Sequence, residues 1–522
     1  MSEQQIRKFP ELCAVEMSDG KPCGRTVHPQ RAAEDPGYVC VMHSHDYGKD
    51  QGAFDAELNS IMDGSSTHNR VKNKWDFQGF VFLKSNFANR LVSSLYTTVE
   101  INFARATFKR HAAFSNSSFD CDIDFTDARF ERVSSFEQTR FAQRVRFWRA
   151  SFAGNANFNW ASFARGAEYS LASFGGEAAF ARTTFSDNAI FRYVNFAGPA
   201  SFSDSNFMQG ADFMGVTFDG SAEFYRVVFS RVADFRSTAF RKPAQVVFHR
   251  INNADQSHSL GMRARLVGCL LENIRFEDVN WTRRNGRIYL EDEADLCSVA
   301  SGLVEASQDG DGAAAVLTHE LVADAYRRLV NNFEKSRQYV WAEECFLGEM
   351  EMRRRNPRHF FFARFDWARN VYAQHSWARR LGETISFTNF YRKLSNYGSS
   401  YLRALWVLVG FLILFAFLLP AYGLRMPADS KTQASCSVGI PGTLQATEIS
   451  WRCALSHPHW ARELAHTFNA GFWDAFEVAV FQKNRTIEPT TTGGRRLEIF
   501  ENIVIPGQFA LVLLAIRRRF RR

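Results

Sequence analysis

The sequence predicts a multi-domain chain in which a β-solenoid is followed by α-helices that include two membrane crossings. Three features carry this expectation. An aromatic ladder runs through residues 103–240 with alternating spacings of five and six, residues 404–424 form a charge-free run, and a second largely apolar stretch at 497–516 leads into an arginine-rich end. At 522 residues the chain is also too long for a single hydrophobic core.

The ladder begins at Phe103 and continues through positions 108, 114, 119, 125, 130 and onward to 240. Every member is phenylalanine except Tyr169, and the residue two places earlier is small or β-branched, as at Ala150, Ala161 and Val216. The ladder accounts for the unusual balance of 51 phenylalanines against 14 tyrosines. Periods of 3.6 or 2 residues would rotate such a ladder off any one face. A coiled ribbon keeps it inside, with rings stacked between coils at a β-spacing of roughly 4.8 Å. About six coils would then give a rod on the order of 30 Å long.

This pattern resembles the pentapeptide-repeat family. The resemblance implies a right-handed quadrilateral β-helix over residues 75–290, filled by the central aromatic and the small residue before it. Every second unit here carries an extra residue, so a four-sided coil would be about two residues longer than the family's usual one. Past a break near 249–261 the plain five-residue form returns at Leu266, Leu271, Phe276 and Trp281, preceded by Ala264, Cys269, Ile274 and Val279. At the other end Phe77, Phe82 and Phe87 suit an imperfect first coil acting as a cap. Some members of the family mimic DNA with an acidic rod. Between residues 103 and 250 there are 18 Lys plus Arg and 14 Asp plus Glu, which argues against that role. The rod is expected to be a spacer or a docking surface for a protein partner.

Ahead of the rod, Cys13, Cys23, Cys40 and His43 supply the donor types of a closed tetrahedral zinc site in a zinc-finger-like module, residues 1–50. Metal binding would let a segment with little apolar content fold. His28 and His45 are rival ligands, and free thiols are the alternative. Four protein ligands leave no open position for hydrolysis. Residues 51–74 read as a linker.

After the rod, 291–316 read as a second linker and 317–356 as a helical hairpin, with Leu321, Ala325, Leu329 and Phe333 on one face and Tyr339, Ala342, Phe346 and Met350 on the other. Residues 357–402 mix aromatic and basic residues, which suits helices lying among lipid headgroups. The net charge of +8 lies largely beside apolar segments, so anionic membrane lipids are the expected partner and nucleic acid is not. Spans at 404–424 and 497–516, with Arg517–Arg519 and Arg521–Arg522 beyond, place both termini in the cytoplasm under the positive-inside rule. Residues 1–30 contain no apolar signal segment. An inner-membrane location follows, with Cys436 and Cys453 on the outer side and free to form a disulfide.

A short amphipathic helix expected at Thr467–Phe481 lies between the spans. That order resembles the pore module of two-transmembrane ion channels, and the whole arrangement resembles bacterial pentapeptide-repeat proteins with a channel-like end. The potassium filter motif is missing, since Gln482-Lys483-Asn484-Arg485 follows the helix. Conduction would require a homo-oligomer, with Asp474, Glu477, Glu498 and Glu501 as candidate pore-lining carboxylates. Pairing with Arg485, Arg495 or Arg496 is the alternative. No Gly-rich phosphate loop, nucleophile elbow or catalytic carboxylate pair is present, so an enzyme is not expected.

Overall fold

The computed structural model describes residues 11–68, 74–92, 100–241, 246–252, 261–272, 274–300, 317–360, 365–426, 447–456, 458–479 and 488–520. The chain forms two compact units, Met1–Met352 and Arg353–Arg522.

In the first unit, short strands from Lys74 to Glu277 are arranged in four parallel sheets of nine, eight, nine and seven strands. Through the regular coils each strand bonds to the fourth one along the chain, so one coil takes 22 residues, as Phe130 opposite Phe152 and Val145 opposite Ala167 show. The rings form continuous stacks. Phe108, Phe130, Phe152 and Phe174 lie face to face at centroid separations of 4.6–4.7 Å with planes 1–2° apart. Neighbouring columns meet edge to face, as for Phe158 and Tyr169 at 5.6 Å and 89°. The backbone sets this spacing, and the fully buried rings fill the coil at that repeat.

The alternation of five and six residues has a local cause. Each five-residue unit closes a β-turn, as in Ala128 N–H to Phe125 O at 3.0 Å, and its third residue is left-handed, as at Asp127, Arg149, Leu171 and Tyr193. The six-residue units take a different corner, where Gly198 is required because a Cβ would lie 2.2 Å from the Gly176 oxygen. Threonine at the small position bonds across coils, with Thr139 Oγ1 2.8 Å from Phe114 O and Thr183 Oγ1 2.8 Å from Phe158 O.

Leu266, Leu271, Phe276 and Trp281 are buried with Ala264, Cys269, Ile274 and Val279, in agreement with the return of the plain repeat. Within the break in the repeat, Asn252 uses its side-chain amide as a rung, bonding both the N–H and the oxygen of Phe229.

The first expected linker and the start of the second are helical. Residues 51–63 form helix α1 (Gln51–Asp63), capped by Asp50 and Gly64, with Phe54 and Ile61 buried. Phe54 sits edge-on to Phe82 at 5.4 Å, so α1 closes the first coil. The second stretch opens with helix α2 (Glu291–Ala300), while 301–316 lie outside the described residues. The acidic residues of α2 pair inward instead of facing solvent: Glu291 with Arg263, Asp295 with Arg265, and buried Glu293 with Arg287.

Helices α3 (His319–Lys335) and α4 (Tyr339–Arg355) form the expected hairpin. Asn332 on α3 donates to the oxygens of Leu271 and Ile274 at 2.6 and 2.8 Å, and Phe333 packs on Phe276, so the far end of the solenoid is capped too. Leu321 is exposed, against expectation. On α4 the buried uncharged positions are Ala342, Cys345, Gly348 and Met352, while Tyr339 is exposed and Phe346 and Met350 are only half-buried. The Tyr326 ring claims the space beside Gly348 and sets that face.

The second unit holds α5 (Asp366–Gln374), α6 (Ser376–Ile385), α7 (Phe387–Ser395), α8 (Tyr401–Ala421), α9 (Trp451–Ser456), α10 (Trp460–Ala479) and α11 (Thr492–Phe520). Helices α8 and α11 are long and apolar enough to cross a membrane. The first ends earlier than expected, since Leu424–Met426 is a strand between Thr447–Ile449 and Glu488–Pro489. Helix α10 is longer than expected and packs on α8, with Gly471 against the Ala416 oxygen. Pro506 does not interrupt α11.

Candidate metal centre

A hairpin over residues 12–26 brings the first two cysteines together. Leu12 pairs with Thr26 and Glu16 with Pro22, while Cys13 N–H bonds Arg25 O and Gly24 N–H bonds Cys13 O. Gly24, at φ +73°, takes the left-handed turn after Cys23. A bridge from Val27 to Cys40 adds the third thiol, and a turn closed by His43 N–H to Cys40 O at 3.0 Å brings the imidazole beside it.

All four side chains are buried, and their ligand atoms lie within 4.8 Å of one another. Zinc with bonds of about 2.3 Å to sulfur and 2.0 Å to nitrogen would space tetrahedral donors roughly 3.5–3.8 Å apart. Cys23 Sγ and Cys40 Sγ are 3.7 Å apart, and His43 Nδ1 is 3.5 Å from Cys13 Sγ and 3.2 Å from Cys40 Sγ. The donor set therefore fits zinc. His43 Nε2 is 3.1 Å from the Gln78 oxygen, which fixes Nδ1 as the metal-facing nitrogen. Arg25 donates to Cys23 Sγ at 3.2 Å and to Glu57 at 2.7 Å, placing a cation beside a thiolate-rich group. Hydrogen bonds with Cys13 and Cys40 hold the Cys23 thiol far below its usual range, against the effect of burial. Such an ion would cross-link the hairpin and leave no position for a reacting molecule.

The centre is joined to the solenoid. Val81 N–H bonds Met42 O at 2.7 Å, Lys49 Nζ donates to Val81 O at 2.6 Å, and the His43 ring sits edge-on to Phe80 at 5.3 Å. Lys109, on the second coil, pairs with Glu34 and Glu131. Arg25, Glu57 and Gln78 have no pattern of their own in the sequence, and only the fold brings them to the cysteines. The rival ligands are engaged elsewhere, His28 with Asp46 and His45 with Asp35.

In the second unit Asp474 and Glu501 are buried within the helices, and Glu477 and Glu498 are half-buried. Gln508, which sequence reading missed, is buried and donates to Ala404 O at 2.8 Å. Cys453 is disulfide-bonded, and Cys436 lies outside the described residues.

A solenoid with this repeat, carrying a Cys3His cluster at one end, defines a repeat protein. Residues 180–228 match the family described as pentapeptide repeats (9 copies). No curated protein and no solved structure is significantly similar to the chain.

Proposed function

We propose that the chain is a non-enzymatic membrane-anchored scaffold, in which a right-handed four-sided solenoid in the cytoplasm binds a protein partner and the two-span unit assembles as a channel-like oligomer. The observation that carries partner binding is a choice of residue at the left-handed corners. Trp160, Leu171 and Tyr193 occupy these positions and are about half exposed, with Trp148 next to Arg149. Glycine or asparagine would fit such corners with less strain, by roughly 1 kcal/mol each. Bulky exposed side chains there favour a recognition surface over a plain spacer. Anionic lipids, the inner membrane and cytoplasmic termini follow from the basic residues beside α8 and α11.

Purified full-length protein in liposomes tests the channel. Ion flux that falls on E477Q supports it, and tight vesicles under all conditions leave an inert anchor. The burial of Asp474 and Glu501 inside one chain's helices favours that second reading, because pore-lining groups would face a shared axis.

A further inference from the structure

Between α7 and α8 the chain turns through Asn396, Tyr397 and Gly398, all with positive φ. A recess there is lined by Arg392, Lys393, Asn396 and Arg403. From Ser386 to Gly423 the sequence contains no carboxylate, so three cations share this corner without an acidic residue from either flanking helix. Phe387, Phe390, Leu402, Leu405 and Trp406 are exposed around it, with Trp406 71% and Phe387 77% accessible. Charged groups at the mouth and bare rings and aliphatic chains alongside are the two halves of a phospholipid's chemistry.

The other basic end of the unit lies on the same side. Gln508 bonds Ala404 O, so α11 passes Arg403's level there, and Arg517 lies nine residues further, about 13 Å beyond at 1.5 Å per residue. Trp406 is one turn into α8 from Leu402, near the end of a candidate span, a position that aromatic rings favour.

We infer that the Arg392–Lys393–Arg403 recess is a binding site for the phosphate of an anionic phospholipid, whose acyl chains lie along the exposed face of α8. This rests on the membrane reading and assigns it one specific headgroup site. The shared chemistry is a phosphate anion, and the apolar surround selects lipid over the free ion.

The test is native mass spectrometry of full-length protein purified in mild detergent and supplied with phosphatidylglycerol, with phosphatidylcholine, or with inorganic phosphate alone. Retention of phosphatidylglycerol over phosphatidylcholine is expected, falling roughly fivefold for each cation removed in K393Q, then R392Q/K393Q/R403Q. Millimolar inorganic phosphate is expected not to displace it. Equal retention by the triple variant overturns the site, and displacement by phosphate overturns its assignment to lipid. The exposed single variant K393Q guards against misfolding of the triple, because its smaller loss is read in an otherwise unchanged protein. An alkaline carbonate wash of cell membranes separates the two levels of inference. Release of the full chain into the supernatant defeats the membrane reading itself, whereas a wash-resistant chain with unchanged lipid retention defeats only the recess.

Discussion

Tyr169 stacks on Phe191 with centroids 4.8 Å apart and planes 1° from parallel, yet its buried hydroxyl has no hydrogen-bond partner among the described residues. Burial pushes that phenol well above its usual titration range. Replacing it with phenylalanine would remove an unsatisfied polar atom and keep the stack. Y169F is expected to stabilise the protein by about 1 kcal/mol, measured as a higher thermal midpoint, whereas Y169A should lose about 3–5 kcal/mol.

The metal centre predicts one zinc per chain by elemental analysis. C40S should abolish it, and a strong chelator should lower the thermal midpoint. H28A and H45A should retain full zinc content, because both imidazoles are paired with carboxylates outside the cluster.

At the opposite cap, Asp292 titrates abnormally. Burial pushes its carboxyl up to about 7, opposed by the hydrogen bond from Leu266 N–H and reinforced by the charge of Asp234. The folded state therefore holds a proton between roughly pH 4 and 7 that the unfolded chain has released, so this group's contribution to stability falls as pH rises through that window. D292N should raise the thermal midpoint at pH 8 and leave it nearly unchanged at pH 4. Equal shifts at both values would exclude the proton as the cause.

Gly471 meets the Ala416 oxygen so closely that a Cβ would lie 2.7 Å from it, with Pro420 Cγ at 3.2 Å. G471V should force α10 away from α8 and cost about 1–3 kcal/mol, seen as a lower melting temperature in detergent, with G471A intermediate.

The solenoid was legible because its period is a covalent property of the chain. Phe103, Phe108, Phe114 and Phe119 recur at alternating spacings of five and six that no helix or flat strand can keep on one face. The Cys3His cluster was legible for a similar reason, since thiol and imidazole side chains are few and their types are diagnostic. What surrounded them was not. Gln78 meets His43 only because the first coil folds beneath the hairpin, a contact across 35 residues. The caps were hidden by composition: Glu291 and Glu293 look solvent-seeking until Arg263 and Arg287 are placed opposite them. In α4, Gly348 carries no hydrophobic signal, yet it is the residue that admits the Tyr326 ring.

Closure at both ends has a consequence for how copies of the chain behave together. A stack of parallel strands exposes unpaired N–H and C=O groups at each terminus, and any second stack with the same repeat could add to it without limit. Here Met42 bonds the Val81 amide at one terminus, and Asn332 takes the Leu271 and Ile274 carbonyls at the other. The repeat is thus kept to a fixed length, and a chain that lost either cap would offer a bare rung from which fibrous growth could begin.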